Sequence, residues 1–476
     1  MHGGGWTGMK TTVPTAPVVP GKKIQHLLKK ALQWLQVDSI ILVNAGSLVG
    51  TTAVTSVLGF VYWWLAARQF PPEAVGFASA AISAMTLLGT FAMLGLGTLL
   101  LGELPRQRGR EASLISAALI LVGAVGGLLG LAFAVGASHV STGFQSLGAS
   151  IENSALFALG VSLTAIILVL DEALIGLFRG ELQLWRNALF AVVKLAALLA
   201  ASLWLSHVVG LTIYATWAIG NICSLAALAG YAFVKKGRTG RDYFPQWGLL
   251  RKLGLSALKH HILNLTLQAP ALILPVLVTV LLSATINAWF YVSWNLSSIA
   301  NIFSVALTMT LYAASSAQPS TLAHKMRLTL SLAFAASVVA NGVLLFGTRQ
   351  TLGLFGPSYA EHATWSLRIL SLESFPFIIK NHYIAISRIQ GRVAHAAQFT
   401  ILTGLLELGG ATLGAFLGGL TGLSVGWFGA MCIEAVFMSR AVFKAARHTG
   451  TSAMPESTGF EDSSSSGEAR EATSLR

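Results

Sequence analysis

Three charged side chains sit inside long apolar runs at a common spacing from a basic residue. Lys380 lies eight residues before Arg388, Asp171 eight before Arg179, and Lys194 eight after Arg186. At ~1.5 Å of rise per helical residue, each stands ~12 Å beyond its helix end. Two lysines and an aspartate would then share one layer. Ionisable groups so deep in an apolar segment cost free energy and mark ligand or ion pathways. Fixed positive charge there suits an anionic ligand such as a pyrophosphate, because the cations replace hydration lost on burial. Asp171 and Lys194 are also nearly equidistant from the turn joining their helices, the spacing of an ion pair that ties a hairpin. The acidic residue nearest in sequence to Lys380 is Glu373, two turns away on the same face; snorkelling to the surface is the other course open to this lysine.

Other polar groups in apolar runs are Asn44 and Asn264, near the starts of two corresponding segments. An asparagine there can hydrogen-bond a sugar or phosphate, and can equally cap a helix. Glu172, Glu373 and Glu407 are acidic positions that a proton- or Na⁺-coupled process could use. Glu434 reads as a helix-end partner of Arg440, and Arg368, five residues from a segment end, as a snorkelling side chain. His260 and His261 adjoin Lys259 and read as surface residues. Pro270, Pro275 and Pro376 fall within apolar runs, where each frees a backbone carbonyl and permits bending.

The elements that position these groups follow from composition. Of 476 residues, 54% are hydrophobic and only 10% charged, against about 25% charged in an ordinary soluble domain. The mean hydropathy is +0.69, and too few charges remain to cover a soluble surface. The 48 glycines follow no collagen period, and Cys223 and Cys432 lie in apolar runs without the spacing of a disulfide framework or zinc cluster. Twelve segments are long and apolar enough to span a bilayer: 41–66, 74–101, 113–136, 154–177, 187–206, 210–233, 262–282, 286–314, 328–347, 363–387, 393–417 and 421–443. Nearly all of the 31 Lys and Arg fall on one side of this alternation. Arg68 and Arg349 lie on the other, and Lys194, Arg368 and Lys380 within segments. Basic residues collect in cytoplasmic loops, so both termini are expected in the cytoplasm, and the net charge of +13 reads as a topology signal rather than a nucleic-acid footprint.

Residues 22–37 place Ile24, Leu27, Leu28, Ala31, Leu32 and Leu35 on one face with lysines elsewhere, the pattern of an amphipathic helix on anionic lipid or of a solvated lead-in to the first span. Residues 1–20 and the Ser/Glu-rich stretch 450–476 are expected to be disordered. The first long apolar run begins near residue 40 and is long enough to span, unlike a cleavable signal.

Three pairs of stretches suggest a repeat in the two halves, the other reading being chance similarity between apolar helices. Residues 67–81 align with 278–292, setting Val75-Gly76-Phe77 against Ile286-Asn287-Ala288. GLTIY (210–214) aligns with GLSVG (422–426), and DEALIGLFRGEL (171–182) with KNHYIAISRIQG (380–391). The offsets are 211, 212 and 209. Two halves of six spans would begin on the same side and be related by a pseudo-two-fold axis along the membrane normal, with a transport path between them.

The stretch 49–106, with a first span ending in Ala-Ala-Arg, a short Pro turn before Val75-Gly76, and a second span ending in Leu-Gly-Leu-Gly before a basic loop, resembles the opening of the polysaccharide-transport, Wzx-like branch of the multidrug/oligosaccharidyl-lipid/polysaccharide (MOP) exporter superfamily. Residues 352–392, with Gly356-Pro-Ser-Tyr359, Pro376 and an exit at Gly391-Arg392, resemble a later signature of that branch. The resemblance covers roughly 40–445. It implies an all-α polytopic fold of twelve helices in two parallel six-helix repeats, forming a V that opens alternately to each side. The corresponding organisation is 1–40 as a cytoplasmic lead, 41–233 as the first bundle, 234–261 as a basic linker, 262–445 as the second bundle and 446–476 as a tail.

By the same resemblance, such proteins are flippases that move polyprenyl-(pyro)phosphate-linked oligosaccharide across the bacterial plasma membrane, or cation-coupled multidrug exporters of the same fold. The first expectation uses Lys380, Lys194, Asp171, Asn44 and Asn264 in a central cavity. The second needs an acidic cavity around Asp171, Glu172 and Glu407. A non-transporting membrane-complex subunit is a third class. No cofactor or metal is implied beyond coupling by H⁺ or Na⁺. The implied partners are membrane lipids, a lipid-linked glycan and polysaccharide-assembly proteins. No P-loop, CxxC or HExxH occurs, which disfavours an ATP-driven pump or metalloprotease, and the outer segment 137–153 is too small for a catalytic domain.

Overall fold

A segment facing hydrocarbon must satisfy every backbone N–H and C=O within itself, which leaves the helix as the form these apolar runs can take. The computed structural model describes residues 50–52, 54–107, 109–204, 209–236, 244–245, 247–317 and 322–447, and among these there is no strand. The helices are α1 (Gly50–Gln69), α2 (Pro72–Ala92), α3 (Leu96–Glu103), α4 (Glu111–Val140), α5 (Gln145–Gly148), α6 (Ile151–Gly176), α7 (Gly180–Trp204), α8 (Gly210–Lys236), α9 (Trp247–Leu281), α10 (Ala284–Ala317), α11 (Leu322–Phe346), α12 (Thr348–Gly353), α13 (Pro357–His362), α14 (Thr364–Ser371), α15 (Ser374–Ile389) and α16 (Val393–Arg447). Asn44, the amphipathic stretch 22–37 and both chain ends lie outside the described residues.

Ten of these helices are long and apolar enough to cross a membrane. Eleven of the twelve expected segments fall on these ten, and 363–387 falls on the shorter α14 and α15; the pattern is broken at three places, each with a local cause. Segment 74–101 divides into α2 and α3 where Leu94 and Gly95 take positive φ of 50° and 77°. Segment 363–387 divides into α14 and α15 just before Pro376, which has no N–H to give the Leu372 carbonyl. The last two segments form one long element, α16, interrupted at Gly418 and Gly419, whose φ/ψ are non-helical. Its limbs, 393–417 and 420–447, fold back with their backbones in contact: a Cβ on Gly414 would overlap the Gly422 carbonyl, and one on Gly426 the Gly410 carbonyl. This is the small-residue seam that lets membrane helices approach closely. Pro270 and Pro275, by contrast, sit inside an unbroken α9.

Packing is organised around four apolar clusters. One draws only on residues between 92 and 173, and two only on residues between 263 and 446. The fourth joins the halves: Tyr62, Phe70 and Phe77 pack with Val292, Leu352 and Tyr359. At its centre α2 crosses α10 so tightly that a Cβ on Gly76 would overlap the Ala284 carbonyl. The stretch read as a linker, 234–261, is helical from Trp247 onward as the first turns of α9. His261 is buried at 5% exposure, not the surface residue expected, because this part of α9 packs against α2, with Thr90 beside the imidazole.

Candidate functional site

Lys380 and Arg388 lie two turns apart on α15, one face of a helix whose Ile378, Ile384 and Ile386 are buried. Lys380 is held by two carboxylates. Its Nζ donates to Glu407 Oε1 at 2.7 Å and to Glu434 Oε2 at 3.1 Å, and both glutamates are almost fully buried. One carboxylate comes from each limb of α16, so the reversal at Gly418-Gly419 is what delivers both to a single lysine. Glu434 faces inward and pairs here rather than with Arg440, which is exposed; six residues of helix turn those two side chains to different faces. Glu373, immediately before this helix, is not the partner of Lys380: it accepts from Asn301 Nδ2 at 3.2 Å and Trp427 Nε1 at 3.0 Å, joining the start of α15 to α10 and α16.

Beside this cluster, α9, α10 and α15 enclose a pocket of about 180 Å³. Its polar lining is Thr308, Tyr312, Lys380, Asn381 and Arg388. No carboxylate lines it among the described residues. Arg388 Nη2 reaches Asn264 Oδ1 at 3.5 Å, so the asparagine picked out in the sequence stands beside the more open of the two cations. Arg388 itself served there only to mark a helix end. The Lys380/Arg388 spacing on one face was the available signal.

Asp171 and Lys194 do not meet. Asp171 takes a bidentate contact from Arg186, with Nε at 3.0 Å and Nη2 at 2.7 Å, and a further bond from Asn187 Nδ2 at 3.0 Å. The cause is the position of the turn. Phe178 takes a positive φ of 56° and α7 already begins at Gly180, so the hairpin centre lies several residues earlier than the loop 178–186 implied. That register sets Arg186, not Lys194, opposite Asp171. It also carries Lys194 to ~21 Å along α7 from Gly180, which removes it from the layer expected to hold Lys380. The three-charge layer is thus replaced by three separate arrangements, one around each charge.

Lys194 is buried at 5% exposure in an aromatic box. Its Nζ lies 3.9 Å from the Trp217 ring centre, 4.7 Å from Phe190 and 5.0 Å from Tyr62. Ring faces attract a cation, and the Tyr62 hydroxyl is fixed by the Ile213 carbonyl and Thr216. Glu172 stands against α3, close enough that a Cβ on Gly97 would come within 2.6 Å of its Oε2. Arg368 lies over the Trp365 ring at 5.2 Å. No group of His, Cys, Asp and Glu able to hold a metal occurs among the described residues.

A family model described as polysaccharide biosynthesis protein matches residues 41–317. No curated protein matches the chain. Among solved structures, the chain is similar to an inward-facing multidrug resistance MATE family transporter of the MOP superfamily, at 15% identity and a TM-score of 0.63 over 84% of this chain and 99% of that one. It is also similar to a MATE transporter in complex with MaL6, at 13% identity and a TM-score of 0.58 over 86% and 97%. A third is an MOP superfamily transporter from Pyrococcus furiosus, described as having a binding pocket of reversed polarity, at 13% identity and a TM-score of 0.57 over 86% and 96%.

Proposed function

The chain belongs to the polysaccharide biosynthesis protein family, and from that membership we propose that it is a flippase carrying a polyprenyl-(pyro)phosphate-linked oligosaccharide across the bacterial plasma membrane by alternating access. It is a transporter of the MOP superfamily rather than an enzyme. The observation that supports the substrate class is the pocket on α15, where Arg388 and three neutral hydrogen-bonding side chains line the wall without a carboxylate, beside a Lys380 already paired with Glu407 and Glu434. Arg388 offers a planar fork suited to phosphate oxygens, and the side-chain amides of Asn381 and Asn264 can donate to the same group or the first sugar. Asp171 and Glu407, which a cationic-drug site would need free, are each occupied by a basic partner.

In this reading the described state is closed at one end, where α2 meets α10, and the pocket lies roughly 30 Å along α10 from that contact. With both termini cytoplasmic, the closed end is the outer one and the site faces inward. The bundles 41–233 and 262–445 are the bodies that rock, H⁺ or Na⁺ is the coupling ion, and polysaccharide-assembly proteins are the partners that deliver and accept substrate. Arg388→Ala tests the reading in cells. It should abolish the surface glycan while the protein stays at its normal membrane level. Normal glycan with acquired resistance to cationic drugs would instead support the multidrug reading.

A further inference from the structure

Glu407 and Glu434 meet at Lys380, and the charges there do not balance. One ammonium serves two carboxylates, with each glutamate 1% exposed and the lysine 9%, so water cannot make up the difference. The surrounding helices add no second cation. Glu373, just before α15, is a third carboxylate, and only Asn301 and Trp427 donate to it. On α15, His382 is turned to Thr329. α10 contains no Asp, Glu, His, Lys or Arg. His261 of α9 stands beside Thr90, and Arg368 of α14 lies over Trp365. His324, Lys325 and Arg327 lie in the first two turns of α11, ahead of the Thr329 that His382 reaches. Arg440 of α16 is exposed.

Two further observations point to what restores the balance. The carboxyl groups of Glu407 and Glu434 lie within hydrogen-bond reach of each other. Two bare carboxylates repel in that position, whereas one proton turns the contact into an O–H···O bond. Glu434 Oε1 is also buried without a donor among the described residues. An ionised oxygen left so carries the full cost of its lost hydration, and a protonated carboxyl does not. A metal cation fits poorly, because the lysine ammonium already holds both carboxylates. Lys380 lines the α15 pocket while neither glutamate does, so the pair meets water past the lysine.

We propose that Glu407 and Glu434 share one exchangeable proton, and that this pair is the proton-binding site of the transport cycle. The proton passes between the pair and water in the α15 pocket. Its part in transport rests on the functional reading above; the shared proton itself does not.

The test uses the full chain in detergent at neutral pH and reads the infrared carbonyl stretch of protonated carboxyl groups, identified by its shift in D₂O. Glu407→Gln and Glu434→Gln each leave Lys380 a single carboxylate, an ion pair that needs no proton. Each variant should therefore lose the intensity of one carboxyl per protein, and the double variant should lose no more. An unchanged band in both single variants, or a loss in only one of them, would overturn the shared proton. The transport role is read in proteoliposomes carrying a polyprenyl-pyrophosphate-linked oligosaccharide under an imposed pH gradient. The parent's flipping rate should change by up to about tenfold per pH unit, and that of Glu434→Gln should not respond. A parent that flips equally with and without the gradient would overturn the role. A parent that does not flip at all would overturn the flippase reading and the role with it, while the infrared result still decides the proton.

Discussion

Asn287 Nδ2 donates to the Gly76 carbonyl oxygen at 2.7 Å, across 211 residues of sequence. It also donates to Ser79 Oγ at 2.9 Å, and Ser79 Oγ donates back to the same Gly76 carbonyl. Gly76 and Asn287 are the residues that the repeat alignment superposes. Equivalent positions of two halves meet only at the axis relating them, so this contact is where a pseudo-two-fold axis would pass. The glycine is required by that meeting, since any Cβ at 76 would overlap the Ala284 carbonyl.

Gly76→Val should therefore force α2 from α10 and open the closed end. A cysteine at Ser79, which is fully buried, reports this when Cys223 and Cys432 are replaced by serine. Ser79→Cys alone should resist a membrane-impermeant thiol reagent added from outside, and the same cysteine with Gly76→Val should react. Equal reactivity in both backgrounds would remove the gate from this contact.

Lys380 carries an energetic prediction distinct from any role in transport. Lys380→Met leaves Glu407 and Glu434 buried without their cation, a change of the kind that costs about 3–5 kcal/mol. A large drop in melting temperature in detergent is expected. Adding Glu407→Gln and Glu434→Gln should restore most of it, because the uncompensated charge is then gone. Failure of the triple variant to recover would mean the lysine stabilises by packing.

The seam of α16 gives a paired comparison among glycines. Gly414→Leu should prevent accumulation of folded protein, since its Cβ would overlap the Gly422 carbonyl. Gly409→Ala and Gly429→Ala, where a Cβ meets nothing within 4 Å, should express and melt like the parent. Monodispersity on size exclusion after extraction distinguishes these outcomes.

Arg388→Lys separates charge from shape. A lysine keeps the positive charge beside Asn264 but loses the fork of parallel donors. Export should fall to an intermediate level between the parent and Arg388→Ala. Full activity of the lysine variant would show that charge alone is used.

Apolar length made the helices legible in the sequence, because it is a local property of the chain; prolines were a poorer guide, since Pro376 stands near a break but Pro270 and Pro275 lie within an unbroken α9. The site was less legible. Glu407 and Glu434 reach Lys380 only because α16 reverses at Gly418 and Gly419, two glycines among many in a continuously apolar run. Asp171 finds Arg186 because Phe178, a residue with no preference for positive φ, closes the turn early. The box around Lys194 assembles Tyr62 and Trp217 from helices far apart in sequence, and no spacing rule connects them. Local pattern revealed which side chains were unusual; tertiary register decided their partners.

In the proposed cycle Arg388 holds the phosphate end of a lipid-linked sugar. The direct measurement is flipping in proteoliposomes containing a short polyprenyl-pyrophosphate-linked oligosaccharide, followed by the loss of a fluorescent sugar signal to an external quencher. The parent protein should give protein-dependent flipping, and Arg388→Ala, reconstituted in equal amount, should match protein-free liposomes. Flipping by Arg388→Ala at the parent rate would contradict the account.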